Sequence, residues 1–430
     1  MVRRRMSPLA VAFCVRGLFG QTVEPAAAVD QLIQQAFEHN RKIVAGRQRV
    51  AEARGLLRQA GVRPAPAVEV NAASGRPLRT QGEAEYAVGY SQPIETGGQR
   101  SKRVLVAEKA LAAAEAEVAE RRRQLAWEIK TRYIDAVANQ RRVAAIERIA
   151  NVNRDAYRLV DARVQRDDAA PLERQLLLVE LNRTEAQRAS AAGQATASQF
   201  ELQRAIGVGL SGPPAAPPKT STPPAVSASI EDLRRRAIEE RPDLLAARAL
   251  ASQSAAEVAL VEAQGRPGLA LSAQYARRYA QFEDPIRITD SGSPLLLKDR
   301  DNILTFGVSI PLQSRKRNAG NVEAAMARQR AAGLRREHLE ITIPLEVEAA
   351  WERYRAAQNA VAILNRGVLD ESERNLSVIR RAYSLGQLRL LDVLNEQRRL
   401  LETELICIDA EAELARSRAE LERAVGGDLQ

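Results

Sequence analysis

The chain has 430 residues, of which 27% are charged and only 4% aromatic, and 64 Lys+Arg against 54 Asp+Glu give a net charge of +10. Two cysteines, one of them in the N-terminal segment, leave no disulfide framework, and two histidines argue against a His-rich metal centre or a Ser-His-Asp triad. No run of about 18 uncharged apolar residues occurs, so any crossing of a bilayer falls to strands rather than to a helix.

In chain order, Arg3-Arg4-Arg5 followed by the apolar run from Pro8 to Val15 reads as an export leader over residues 1–28, with a disordered start as the alternative. Arg16 interrupts the run, Cys14 lies within it, and cleavage would follow Gly20 or Ala26-Ala27-Ala28. Residues 29–62 predict one helix, with Asp30 as N-cap, Leu32, Ala36, Ile43, Val50 and Leu57 on one side, and Gly61 and Pro64 at its end. Alternation over 67–75 and 84–94 predicts a hairpin whose apolar face carries Val68, Val70, Tyr86, Val88 and Tyr90. A proline-free tract from Arg100 to Arg166 follows, with Val104, Leu111, Val118 and Leu125 at every seventh position. At about 1.5 Å per residue this rod spans about 100 Å. Asp167-Asp168-Ala-Ala-Pro171 breaks it, and a return helix runs over 172–206.

The plan is then repeated. Glu201-Leu-Gln-Arg-Ala-Ile-Gly207 and Glu420-Leu-Glu-Arg-Ala-Val-Gly426 agree at five of seven positions at an offset of 219. Val29 to Leu32 lies over Ile230 to Leu233 at an offset of 201, while Gly89, Pro93 and Tyr133 fall on Gly307, Pro311 and Trp351 at an offset of 218. A first repeat over 29–206 and a second over 230–426 are joined by a Pro-Pro-rich linker over 207–229, and 427–430 form a tail. Strands over 268–279 and 302–312 place Leu269, Leu271, Tyr275, Leu304, Phe306, Val308 and Ile310 on the apolar face, with a polar connection over 280–301. The second rod, 318–384, contains Pro344, which predicts a kink. Leu385-Gly386-Gln387 ends that rod, and the second return helix runs over 389–425.

The fold class is therefore mainly α with a small β part. Charges such as those of Glu115 to Arg123 alternate in sign along the helices, which reads as a solvated face rather than a nucleic-acid surface. Each strand is apolar on one face and small or polar on the other, as a membrane barrel wall requires, although a hairpin packed on helices alternates in the same way. Four strands cannot close a barrel, and open edges are forbidden in lipid, so a membrane-spanning form requires more than one copy. Two copies give eight strands and three give twelve. His39 and His338 sit in helices as surface or seam residues.

With its duplicated helix–hairpin–helix order, its two Arg-Ala-(Ile/Val)-Gly endings and Gln92-Pro-Ile-Glu-Thr-Gly-Gly-Gln-Arg100 at the strand-to-helix passage, the chain resembles the TolC-like outer-membrane factors, and within them the CzcC-type subunits of heavy-metal efflux systems. The resemblance implies a homotrimer with a twelve-stranded barrel in outer-membrane lipid and a helical tunnel in the periplasm. It implies a passive exit duct without catalytic residues, cofactor or metal centre, served by a membrane-fusion adapter and an inner-membrane RND-type pump. By the same likeness Tyr383 and Asp392 constrict the entrance, with Arg389 beside them and Asn395 where family members often carry a second Asp. The first tip departs from the pattern, lacking the glycine and having Asp167 and Asp168 instead, which supply acidic charge at the mouth. Gly386, Gln387 and Leu388 are the adapter-contact tip. Asp392 also suits the role of helix cap, which is compatible with a gate. The alternatives are a duct for drug efflux or type I secretion and, in another class, a soluble coiled-coil scaffold.

Overall fold

The structure, a computed structural model, describes residues 25–74, 83–209, 226–281, 287–288, 294–295, 298–311 and 315–429. Residues 1–24 of the expected leader and the Pro-Pro pairs of the linker lie outside the described residues. Helices α1 (Pro25–His39) and α2 (Arg41–Ala60) lead to strands β1 (Ala67–Ser74) and β2 (Ala84–Ile94), then to α3 (Gln99–Val164) and α4 (Pro171–Ile206). The second repeat runs α5 (Ile230–Glu240), α6 (Pro242–Gln264), β3 (Leu269–Gln281), β4 (Arg287–Ile288), β5 (Pro294–Leu295), β6 (Lys298–Ser309), α7 (Arg315–Leu364), α8 (Val368–Ser384) and α9 (Leu390–Val425). The 66 residues of α3 form one unbroken helix, about 100 Å long.

Four features depart from the sequence reading. The opening helix starts at Pro25, so Ala26-Ala27-Ala28 is helical, and it is cut at Asn40 into α1 and α2. Asn40 adopts an extended backbone, its side chain accepts from the Lys42 N–H at 2.9 Å, and its Nδ2 donates to the Ala205 carbonyl at 2.9 Å. As a result α1 packs against both α3 and the end of α4, while α2 continues along α3. The equivalent cut in the second repeat falls at Arg241, because the residue before Pro242 is driven out of the helical region. Residues 230–264 are apolar enough by composition to cross a bilayer, yet Arg241 interrupts them and the alanine-rich α6 packs along α3 and α7. Third, α7 runs through Pro344 unbroken, with Ile343 and Val347 fully buried on either side. The break comes instead at Gly367, which is left-handed at φ 93°. Fourth, β3 and β6 extend into the 280–301 connection, which also holds the β4–β5 pair.

The two Arg-Ala-(Ile/Val)-Gly endings close α4 and α9 with left-handed glycines, Gly207 at φ 85° and Gly426 at φ 104°. Each glycine lies against the helix cut of its own repeat. A Cβ would meet the Asn40 Cα at 3.0 Å from Gly207, and the Arg241 Cα at 3.2 Å from Gly426. Arg241 is 3% exposed, donates to the Ala424 carbonyl and pairs with Asp243 and with Glu346 at 2.6 Å. Around these contacts sit two cores, Ile33, Ala36, Ile43, Leu125, Ile129 and Ile206 in the first repeat and a larger one about Leu233, Leu244, Ile343, Val347 and Leu421 in the second. The tail belongs to this level too, since Asp428 pairs with Lys130 at 2.7 Å and Leu429 is buried.

The repeats meet along α3 and α9, which run antiparallel. Lys130–Glu422 at 2.7 Å, Asp135–Arg416 at 3.5 Å, Arg141–Glu411, Arg142–Asp409 and Arg148–Glu404 form a ladder down this seam, over a small-residue core of Ala138, Ala145, Ile146, Ile408 and Ala412. Part of the alternating charge is therefore glue between repeats and not a solvated face. Burial opposes the charge on Lys130, but Glu422 and Asp428 outweigh it and raise its pKa.

Alanine at Gly207 or Gly426 is expected to destabilise the fold by at least the ~1–2 kcal/mol that a left-handed non-glycine residue costs. Alanine at Gly193, in an open helical position of α4, is expected to gain about 0.5–1 kcal/mol. Denaturant unfolding monitored by circular dichroism measures both.

Candidate functional site

β1, β2, β3 and β6 form one antiparallel sheet in that order. Directly paired residues share a face, so the register assembles one continuous apolar surface. Val68 pairs with Tyr90 and Val70 with Val88; Val88 then pairs with Tyr275, and Tyr275 with Leu304 and Leu271 with Val308. Val68, Val70, Tyr86, Val88, Tyr90, Leu271, Tyr275, Leu304, Phe306, Val308 and Ile310 are all exposed, Phe306 to 75%, while Leu269 is half-buried. The opposite face carries Glu69, Asn71, Ala87, Gly89, Ser272, Gln274, Ala276 and Thr305. From Leu269 to Tyr279 the strand climbs about 33 Å, which at a tilt of about 40° is about 25 Å of height, the apolar band of a membrane barrel. Among the described residues, the outer edges of β1 and β6 are unpaired.

Beneath the sheet, the Gln92 to Arg100 segment ties four elements together. Gln92 Nε2 donates to the Pro64 carbonyl at 3.1 Å and Thr96 Oγ1 to the Pro267 carbonyl at 2.7 Å. Glu95 pairs with Arg103, and Arg100 Nε donates to the Gly61 carbonyl at 2.7 Å. Gln99, 8% exposed, accepts from the Gly97 N–H at 2.9 Å and donates to the Ala263 carbonyl at 3.1 Å. Gly97 has no room for a Cβ, which would fall 3.0–3.1 Å from Gln99, Ala263 and Arg266, and Gly98 is left-handed at φ 69°. In the second repeat Asn318 reaches the same helix end, donating to the Val261 carbonyl at 2.7 Å.

At the other end of the rods lie two turns. Asp167 is left-handed at φ 60°, the non-glycine residue with positive φ among the described residues, and Gly386 takes the equivalent place at φ 75°. Asp tolerates this conformation better than most residues because its short side chain bonds locally. Asp167 and Asp168 are exposed, as are Gly386, Gln387, Leu388, Arg389 and Asn395. Leu172, Leu385 and Leu391 add exposed apolar surface to the tips. Asp392 is half-buried in the first turn of α9, where its Oδ2 accepts from the Arg389 N–H at 2.9 Å. Within one chain this carboxylate is a helix cap.

Tyr383 joins the two tips. Its ring packs on Val160, Leu177, Leu390 and Leu394, and its hydroxyl lies 3.4 Å from Glu173 Oε2 in the first turn of α4, a weak contact. Burial, then the Glu173 charge, raises the phenol pKa, with Arg163 acting in the opposite direction. Farther along, Arg398 of α9 forms a two-pronged pair with Glu180 of α4, which is 6% exposed. Buried Asn153 donates to Thr184 at 3.1 Å nearby. Glu173, Glu180 and Arg398 were not singled out from the sequence, because a charged residue buried between helices has the same period as one facing water. His39 and His338 are exposed, and no group of three or more His, Cys, Asp or Glu able to hold a metal occurs among the described residues.

The strand wall has an exposed apolar face and stands on long paired helices that end in exposed turns, the build of a membrane-inserted protein with a long helical extension. The chain belongs to the outer membrane efflux protein family, whose family model matches residues 32–208 and 233–427. It is 22% identical over 402 residues, 93% of this chain and 90% of the relative, to the cobalt-zinc-cadmium resistance protein CzcC of Cupriavidus metallidurans. Its fold is similar to that of CusC, a structure described in terms of transmembrane channel formation, with a TM-score of 0.72 at 17% identity over 93% of this chain and 92% of that one. The outer membrane protein VceC of Vibrio cholerae gives a TM-score of 0.70 at 21% identity, over 94% and 97% of the two chains. The protein is accordingly an outer-membrane efflux channel, and the scaffold alternative is set aside.

Replacing Arg398 by Met strands the Glu180 carboxylate and is expected to cost about 1–3 kcal/mol. The further change Glu180→Leu is expected to restore part of that loss, a coupling that a double-mutant cycle in denaturant measures. Because the folded pKa of Tyr383 is raised, its contribution to tip docking is present below the unfolded value of about 10 and is lost as pH rises through the folded value. The phenolate absorbance of wild type minus Tyr383→Phe is expected to titrate above the range of free tyrosine.

Proposed function

We propose that three copies assemble into a twelve-stranded barrel in the outer membrane, continued by a periplasmic helical tunnel, as the passive exit duct of a tripartite efflux system. The single observation behind this reading is the sheet, with one apolar exposed face and two unpaired edges. β1 and β6 run in opposite directions, so β6 of one copy can join β1 of the next in the same antiparallel pattern that holds inside the chain. The duct would receive substrate from an inner-membrane RND-type pump through a membrane-fusion adapter, which supply the energy and the coupling. The adapter would meet the tip at Gly386, Gln387 and Leu388.

The cargo proposed is a heavy-metal cation. The support is the likeness to CzcC together with carboxylates at the mouth, Asp167, Asp168 and Asp392, three copies of which would focus cations on the axis. Tyr383, Asp392, Arg389 and Asn395 would line the constriction, with Tyr383 holding the two tips of each chain together. No residue discriminates among ions.

The purified protein in planar bilayers is expected to give discrete, cation-preferring conductance and to migrate as a trimer in detergent. Asp392→Ala is expected to lower the cation preference and to relieve block by divalent ions. A protein with neither conductance nor a trimer would defeat the duct. Unchanged selectivity and block in Asp392→Ala would defeat the gate alone.

A further inference from the structure

Charge is sorted across the sheet. On the small-residue face the described charges are Glu69, Glu85, Asp299, Asp301 and Arg278, and this arginine is already paired with Glu85 at 3.0 Å. On the apolar face the charged side chains described are Arg277 and Arg300, both exposed and both at the end farthest from the helices. Neither has a carboxylate within ion-pair distance among the described residues. They are held instead by one ring. The Arg277 guanidinium lies 5.3 Å from the Tyr279 ring centroid and that of Arg300 lies 5.7 Å from it. Tyr86 braces the same ring edge-on, with centroids 6.4 Å apart.

We infer that Arg277 and Arg300, braced on Tyr279, form a binding site on the outer wall for lipid headgroups whose phosphates carry net negative charge, in the surrounding leaflet. This rests on the barrel reading above. A planar guanidinium matches a phosphate with two parallel hydrogen bonds, and stacking on an aromatic face fixes its orientation before the ligand arrives. The height suits a headgroup. Leu304 and Phe306 of the apolar band lie just beneath, while Tyr275 donates to Asn302 at 2.8 Å where the band ends. Such amphipathic rings sit at the boundary between acyl chains and water. A free anion would meet the two arginines but gain nothing from the apolar surface below them, so the occupant is a lipid rather than inorganic phosphate.

The test uses full-length protein, wild type and Arg277→Gln/Arg300→Gln, stripped of lipid and offered a diphosphorylated acylated glucosamine disaccharide, its dephosphorylated form, phosphatidylcholine or inorganic phosphate. Lipid retained per assembly is counted by native mass spectrometry. Wild type is expected to retain the diphosphorylated lipid about 10-fold better than the double variant, as loss of charge-assisted bonds predicts. The other two lipids are expected to bind both proteins equally, and millimolar inorganic phosphate is expected not to compete. Arg277→Lys/Arg300→Lys, which keeps charge and loses the fork, should fall between, and is the comparison should the glutamine pair not assemble. Equal retention by wild type and variants, or displacement by inorganic phosphate, overturns the inference. Conductance is recorded on the same preparations. A conducting wild type without phosphate preference sinks this site alone, whereas a wild type that does not conduct sinks the barrel and the site with it.

Discussion

Backbone hydrogen bonding in hydrocarbon is the constraint on which the rest of this structure depends. A strand edge exposed to lipid leaves a row of N–H and C=O groups with no water to satisfy them. One chain presents two such edges, β1 and β6, so its sheet is a fraction of a wall. The apolar residues of that wall contribute little inside one chain, since they are exposed. In the barrel proposed above, their burial would fall to lipid, and edge pairing to other copies. Folding of the helical part and completion of the barrel are therefore separable, with the cores around Ile43 and Ile343 independent of the sheet.

The helical part is organised by the seam between repeats. The ion pairs along α3 and α9 tie the two antiparallel rods together at several levels, and a slip along the seam would part these partners. Duplication supplied two equivalent hairpins, which then diverged. The first keeps an unbroken rod and a left-handed aspartate at its tip. The second has a glycine at the same turn and a further break at Gly367. The added charge is thus on the first tip, and the added conformational freedom is on the second.

How much of this could be read beforehand follows from what period carries information. Alternation of two showed the strands and the apolar face, because a one-residue error would exchange faces throughout; Leu269, at the foot of β3, is half-buried where the sheet meets the helices. Long helices and their tip turns were legible from Asp167, Pro171 and Gly386. The break at Asn40 was not, since a single Asn in an apolar-periodic segment is also a tolerated surface residue, and its partner Ala205 is remote in sequence. Arg241 could have been found from Pro242. Pro344 misled because burial on both sides holds the helix together despite one missing N–H. The role of Arg-Ala-(Ile/Val)-Gly was hidden for a similar reason. Repetition marked it as a boundary, but only packing shows that the glycine is required by a neighbouring backbone.

One feature of the junction has a mechanical meaning. Gln99 from the first repeat and Asn318 from the second both grasp the last turn of α6, at Ala263 and Val261. The upper ends of both long rods are thereby clamped to a common post. The α3–α9 ion pairs hold the rods again farther along their length, so clamp and seam together make the two repeats one strut, and a rotation at the post is carried along it to the turns at Asp167 and Gly386. In the assembly proposed above, each chain would then move at the mouth as a unit rather than by the bending of single helices.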